Sequence, residues 1–370
     1  MNDTSSILLI GMGTAGCEMA ARIRRAFGED LRYILADTDA SSNSGDHPFL
    51  LLGGRRLSGR SSGGDFQNAR LAAEDSISSL KDHLEDVRLV VFVTALGGAT
   101  GAAGTLEATK YLSSMGVPTI VFGTIPFAFE GENAQRTSRG VMALIQEFAN
   151  ASFFIPLDNL VASSDNMEES LRIAIDTLSQ GVTLFWRLVK KPGFIKLDVE
   201  RIRHFLSKAG RGRFSSVSVQ GTERAVEAVK QLTNSKLLTT EGAGKAQSIL
   251  CGVLAGNDLR LSELTTISEG ITEAFGKDAE FQISTVNDEL NFCGRIAVVV
   301  MIFEQNAKAA SLSNKKSNHD FAAQTKAMRN RPLGVGQRNK GRFFSNKPTF
   351  WHGEDLDTPT FIRRNITLDF

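Results

Sequence analysis

Cysteine is scarce in this chain of 370 residues. There are three, Cys17, Cys251 and Cys293, scattered and without a CxxC spacing. An odd, unpaired set speaks against a disulfide framework or a zinc site and points to a reducing cytosol. Long apolar runs are missing too. Ile7–Ile10 is too short for the core of a signal peptide, and Met1–Ser6 carries no Lys or Arg, so neither a secretory leader nor a membrane span is expected. Net charge is nearly absent, +1 from 42 Lys+Arg against 41 Asp+Glu, and by itself it names no partner. The Walker phosphate loop is also missing: Gly242-Ala243-Gly244-Lys245 lacks the earlier Gly and the following Ser or Thr. What remains is 42% hydrophobic and 22% charged, the composition of a globular protein long enough for two domains.

The chain is organised around Leu89–Leu112. Its β-branched start, Leu89–Val93, predicts a buried strand, and Ala102–Glu107 predicts the first turns of a helix. Between them lies Gly97-Gly98-Ala99-Thr100-Gly101. Small residues there let a ligand approach the backbone, and the unpaired N–H groups and dipole of the helix start favour an anion such as phosphate. A tight turn without a ligand is the alternative. A second loop of this kind, Gly11-Met12-Gly13-Thr14-Ala15-Gly16, follows the predicted strand Ser6–Ile10 and precedes a helix to about Phe27. With the strand Arg32–Ala36 and Asp37 after it, this is also the dinucleotide-binding fingerprint, which reads as an NAD-dependent oxidoreductase resting on Gly11, Gly13, Gly16 and Asp37.

Alternating strands and helices continue to about residue 166, so this part is expected to be α/β with a largely parallel sheet. Ser41–Gly64 reads as loops around the apolar patch Phe49–Leu52, and Phe66–His83 as one helix. A long amphipathic helix is predicted from Met167 to Lys190, ended by Pro192-Gly193. Residues 192–305 then form a smaller α/β domain, with strands expected near Ser215–Gln220, Ser248–Ala255, Ala279–Thr285 and Arg295–Phe303. Residues 306–349 carry ten Lys or Arg against one acid, Asp320, and read as a disordered basic linker. A solvated spacer is its expected role, with attraction to anionic lipid or DNA the alternative; nucleic acid is not expected as a partner. In residues 350–370 apolar residues return in Asp355-Leu356-Asp357-Thr358-Pro359-Thr360-Phe361-Ile362-Arg363-Arg364, which suggests a docking peptide, or else an inert tail.

These loops in this order resemble the tubulin/FtsZ family. Phe92-Val93-Thr94-Ala95 leading into Gly97–Gly101 is similar to the tubulin signature GGGTG[ST]G. Pro126-Phe127-Ala128-Phe129-Glu130-Gly131 is similar to the family's PFxFEG, and Asp258-Leu259-Arg260-Leu261 matches its DLRL segment. The resemblance runs from Ile7 to about Phe303 and resumes at Asp355–Arg364. It implies a tubulin/FtsZ-like α/β fold: a Rossmann-like GTPase domain (1–166), a long central helix (167–191) and a smaller α/β domain (192–305). It implies a GTP/GDP site with Mg²⁺, in which Gly11, Gly13 and Gly16 form the first phosphate loop. Gly63 and Gly64 would close on the γ-phosphate, and Gly97, Gly98, Thr100 and Gly101 would hold the phosphates. Glu130 would accept from the ribose and Asp176 from guanine. Glu130 as a helix N-terminal acid and Asp176 as part of a solvated helix face are the alternatives.

The resemblance also implies head-to-tail filaments in which the loop after the central helix completes the next subunit's site. Here that loop reads Lys196-Leu197-Asp198-Val199-Glu200-Arg201-Ile202. Its first acid is Asp198, Glu200 is one place from the second, and Arg201 stands where the second acid is usual; an arginine stays protonated and cannot act as a base. Other departures are Glu18, Leu157, Leu171 and Ala134 in place of the family's base-contacting Asn, Asn, Phe and Arg. The signature loop is one residue shorter and has Ala99 and Ala103 where Gly is usual. Asp357, Pro359, Phe361, Ile362 and Arg363 would bind membrane-tethering division proteins of the FtsA and ZipA type. The implied protein is cytoplasmic, at the division site. It is a polymerising GTPase of weak activity or a non-hydrolysing partner of another FtsZ.

Overall fold

Ile7–Met12 (β1) shows how the sequence sets the layers. All six of its residues are buried. Ile7 and Leu9 face one core, while Leu8, Ile10 and Met12 face another. A strand covered on both faces needs such an unbroken apolar run. The structure is a computed structural model that describes residues 6–28, 31–43, 45, 47–160, 167–190, 193–206, 210–239, 245–304, 350–351 and 354–355.

After β1 come α1 (Gly13–Phe27), β2 (Tyr33–Asp37), β3 (Phe49–Leu51), α2 (Gly54–Leu57), α3 (Phe66–Ser76), β4 (Leu89–Ala95), α4 (Ala99–Ser114), β5 (Thr119–Ile125), α5 (Glu132–Phe148) and β6 (Ala151–Pro156). The order β3-β2-β1-β4-β5-β6 is parallel throughout. All its strands therefore deliver their following loops to one edge, where open α/β sheets bind ligands. The chain continues with α6 (Met167–Lys190), α7 (Val199–Leu206), β7 (Arg211–Gln220), α8 (Arg224–Thr233), β8 (Ala246–Ala255), α9 (Leu261–Phe275), β9 (Glu280–Asn287), α10 (Glu289–Phe292) and β10 (Arg295–Glu304).

The sheet does not stop at α6. β7 pairs parallel with β6, and the strand order continues β7-β10-β8-β9, ten strands in all. β10 is antiparallel to both neighbours, and β8 and β9 are parallel. One core runs through both halves: Leu178, Val182, Phe185 and Trp186 of α6 lie in it with Leu9 of β1 and Val299 and Met301 of β10. The alternate β10 residues, Val298, Val300 and Ile302, face a third core with α8 and α9. Residues 1–313 form one compact unit and 314–370 another. In the second unit the described residues are a short antiparallel pair, Phe350–Trp351 with Glu354–Asp355.

Two local expectations change. The helix expected over Phe66–His83 is α-helical only to Ser76 and continues as a 3₁₀ turn, Ile77–His83. The segment Lys196–Ile202, expected as a loop, runs into α7. Asp198 ends the loop, and its carboxylate accepts from the Arg201 N–H at 2.6 Å, satisfying a helix-start donor. Val199, Ile202, Phe205 and Leu206 supply the buried face of that helix.

Candidate nucleotide site

β1 and β4 lie side by side, with Gly11 opposite Val93 and Met12 opposite Thr94. Their following loops therefore emerge together. The Thr94 hydroxyl sits between the carbonyls of Met12 (3.2 Å) and Gly101 (3.1 Å), tying the two loops together. Gly13 has φ +74°, and a Cβ there would lie 2.7 Å from the Gly101 nitrogen. Glycine at both places lets the starts of α1 and α4 touch. Gly98 is different: a Cβ there would meet nothing within 4 Å.

Neither α1 nor α4 has a side-chain cap or an acid in its first turn. Helix starts leave N–H groups unpaired and carry the positive end of the helix dipole. The first turns of both helices line one cavity of about 320 Å³ with Ser61, Ser62 and Gly64. Two uncapped helix starts on one cavity suit an anion.

A hydroxyl cluster holds the walls. Thr100 and Thr38, both buried, share a hydrogen bond of 3.0 Å, and Ser62 is 3.4 Å from Thr100. Gly63 (φ +67°) and Gly64 (φ +78°) then turn the chain toward Asp65, which caps α3 by accepting from the N–H groups of Gln67 and Asn68. Asp37, the acid on which the oxidoreductase reading rests, is 1% exposed. Its carboxylate accepts from the Thr14 and Ser42 hydroxyls at 2.9 and 2.6 Å and from the N–H groups of Thr38 and Asp39 at 2.7 and 3.4 Å. Burial, and then the charge of Asp37, push the Cys17 thiol up to about 12, so it stays protonated.

The structure thus brings Gly13, Gly64, Gly98, Thr100 and Gly101 around one cavity, with Gly11 and Gly16 packed behind it. Gly97 lies just outside, where its Cβ position is 3.2 Å from the Glu130 carboxylate. The other Glu130 oxygen accepts from the Phe127 N–H at 2.8 Å, so part of this acid holds its own turn. Asp176 is not on this cavity. It accepts from Arg22 of α1, which also pairs with Glu18 at 2.8 Å. Burial opposes charge on Arg22, but the hydrogen bonds and charges of Glu18 and Asp176 outweigh it and raise its pKa.

Asp198, Glu200 and Arg201 are elsewhere. Glu200 pairs with Arg88 and, at 3.3 Å, with Arg203. Arg88 immediately precedes β4, whereas the cavity follows it. At about 3.3 Å per residue, the seven residues of β4 separate the two by roughly 20 Å. Arg201 donates to the Gln282 side chain at 2.9 and 3.1 Å. Sequence reasoning missed the roles of Thr38, Thr94 and Arg22; Thr38 directly follows β2 and Thr94 is next to the end of β4, both beside the loops, which was a usable signal. Asp357, Pro359, Phe361, Ile362 and Arg363 lie outside the described residues.

Two family models match the chain: the Tubulin/FtsZ family GTPase domain over residues 6–165 and the FtsZ family C-terminal domain over residues 211–304. Together they take in more than two thirds of it. The chain belongs to the tubulin/FtsZ family. The cell division protein FtsZ of Rickettsia conorii is 27% identical over 303 residues, covering 80% of this chain and 67% of that protein. FtsZ of Methanothermobacter thermautotrophicus is 27% identical over 304 residues, covering 81% and 80%. Among solved structures, an empty FtsZ dimer of M. jannaschii superposes with a TM-score of 0.75 at 22% identity, covering 80% of this chain and 88% of that one. A GTPγS-bound protofilament of CetZ2 from Haloferax volcanii gives 0.67 at 19%, covering 84% and 96%. The tubulin/FtsZ fold expected from the loops is the fold observed. Residues 6–165 are a GTPase domain of this family, a guanine-nucleotide-binding class of cytoskeletal protein.

Proposed function

We propose that this chain is a filament-forming, GTP-dependent protein of cell division, cytoplasmic and recruited to the division site. GTP would lie between head-to-tail subunits and be hydrolysed slowly if at all. The observation that carries this reading is the separation of the two halves of the chemistry. The phosphate cavity opens after β1 and β4, while Asp198 and Glu200 lie toward the opposite end of β4, beside Arg88. No subunit reaches its own phosphates with these acids; a neighbour stacked head to tail does. Such a heterologous contact repeats without closing and makes filaments.

The cavity fits a nucleotide's phosphates. Two uncapped helix starts line it, and Gly98 leaves backbone open to a ligand. GTP bound with Mg²⁺ supplies a γ-phosphate for in-line attack by water. The N–H groups of the α1 and α4 first turns hold the phosphate oxygens and stabilise charge that grows there. The Thr38, Thr100 and Ser62 hydroxyls keep these walls in place before the ligand arrives. Mg²⁺ would enter with the nucleotide and be carried mainly by its phosphates. Asp198 and Glu200 of the neighbouring subunit would orient the water. Domain limits of 1–166, 167–191 and 192–305, the linker 306–349 and the tail 350–370, with membrane-tethering division proteins as its partners, belong to the same proposal.

Arg201 favours a second reading, a subunit that binds GTP and assembles, alone or with another FtsZ, without hydrolysing it. A guanidinium in place of a carboxylate pairs with phosphate charge but takes no proton from water. Sedimentation with GTP, GDP and ATP tests both. Pelleting above a threshold protein concentration with GTP alone supports assembly, and no pelleting with GTP at any concentration overturns it.

A further inference from the structure

The start of α7 holds three charges, and their partners differ. The Asp198 carboxylate is committed to the helix start, accepting from the Arg201 N–H at 2.6 Å. Glu200 lies between two guanidiniums, paired with Arg88 and, at 3.3 Å, with Arg203. Arg201 turns the other way, toward β9. Its Nε and Nη2 donate to Gln282 Oε1 at 3.1 and 2.9 Å, and its guanidinium carbon lies 5.6 Å from the centre of the buried Phe205 ring. Gln282 is itself held: its Nε2 donates to the Ile283 carbonyl at 2.6 Å, which leaves its oxygen to Arg201.

This guanidinium is anchored along one edge and open along the other. Nη1 forms no hydrogen bond among the described residues, and the side chain is 44% exposed. Glu280 is the acid beside it, 3.8 Å from Nη2, with His204 3.5 Å from the same carboxylate. A planar fork fixed in advance loses little freedom when it meets an anion, and its free donors match the oxygens of a phosphate. Neither acid of α7's start offers that: carboxylates repel phosphate, and the charge of Glu200 is already answered by two arginines. Arg201 shares the first turn with Glu200, so it too lies toward the end of β4 opposite its own subunit's cavity. The phosphates within its reach are a neighbour's.

We propose that Arg201, positioned by Gln282, is the group that α7 sets against the terminal phosphate of the nucleotide held by the next subunit, so that the charge of that phosphate tightens the contact. This rests on the head-to-tail reading above and names the residue through which the contact senses the nucleotide. The consequence is that the position usual for an acid serves here to hold subunits together.

The test is sedimentation of the full chain over a protein concentration series, with GDP and with a non-hydrolysable β,γ-imido analogue of GTP. Expected is a lower assembly threshold with the analogue. Arg201→Met is expected to raise that threshold by about tenfold or more, the loss of a charge-assisted hydrogen bond, and to close most of the gap to GDP. Arg201→Asp is expected to raise it at least as far. Gln282→Leu, which frees the fork, is expected to fall between. Gln282→Glu, which holds the guanidinium but neutralises it, is expected to raise the threshold although the side chain stays in place. Arg201→Asp assembling at the unaltered threshold overturns the inference, because the position then only lacks an acid. A folded Arg201→Met variant assembling at the unaltered threshold overturns it too. So does weaker binding of the analogue by that variant when dilute and unassembled, since the contact would then lie within one subunit. If the unaltered chain does not assemble with the analogue at any concentration, the filament reading falls first and this inference with it.

Discussion

Thr38 and Thr100 face each other across the cavity wall, one after β2 and one in the first turn of α4. Their hydroxyls share a 3.0 Å hydrogen bond and are 0% and 8% exposed as residues. Thr38→Val leaves Thr100 with the longer 3.4 Å contact to Ser62, and Thr100→Val leaves both Thr38 and Ser62 without it. A buried hydroxyl stripped of its partner costs about 1–3 kcal/mol. Thr38→Val is therefore expected to cost about 1 kcal/mol and Thr100→Val about 2 kcal/mol. The double variant should cost little more than Thr100→Val, because replacing both partners removes the orphaned group along with the bond. The coupling is then about 1 kcal/mol, well outside the few tenths expected of independent sites. Urea unfolding without nucleotide, followed by fluorescence of the core Trp186, measures all four corners of this cycle. Additive losses would refute the shared bond and with it the claim that the cavity wall is held before ligand binds.

Gly13→Ala must adopt φ +74° and place a Cβ 2.7 Å from the Gly101 nitrogen, so it should lose about 2 kcal/mol or more. Gly98→Ala, at φ −87° with nothing within 4 Å, should leave stability within about 0.5 kcal/mol while weakening nucleotide binding; urea unfolding and titration separate the two effects. Arg224, 5% exposed, donates to Asp258 at 2.6 Å and to Glu263 at 2.7 Å, and its hydrogen bond holds Glu263 below the usual carboxylate range. Arg224→Met should cost about 3 kcal/mol at neutral pH. Since the folded pKa of Glu263 is depressed, its contribution is complete above the unfolded value of about 4.3 and is lost as pH falls. The stability gap between the two proteins should therefore narrow from pH about 5 downward, and a gap constant to pH about 3 would contradict this.

The parts of the site that were legible in sequence are those made by neighbours in the chain. Gly97–Gly101 and Gly11–Gly16 each carry strand, turn and helix start within a dozen residues, so composition alone locates them. The α7 start was misread as a loop because its resemblance to a family loop outweighed the spacing of Val199, Ile202, Phe205 and Leu206, which is helical. Contacts between distant residues left no local trace. Arg22 and Asp176 are 154 positions apart, and Thr38 and Thr100 are 62 apart; only the folded sheet brings them together. Likewise the continuation of one sheet from β6 into β7 rests on a short pairing, Ser152 with Arg211 and Phe153 with Gly212, that no pattern within either strand announces.

The central claim is that a site made by β1 and β4 is completed by another subunit's α7 start. Phosphate release with GTP and Mg²⁺, measured over a protein concentration series with light scattering in parallel, tests it most directly. The account predicts scattering above a threshold concentration, with any phosphate release confined to that same range. Release proportional to protein from the lowest concentration, without scattering, would show that a single subunit completes its own site and would contradict it.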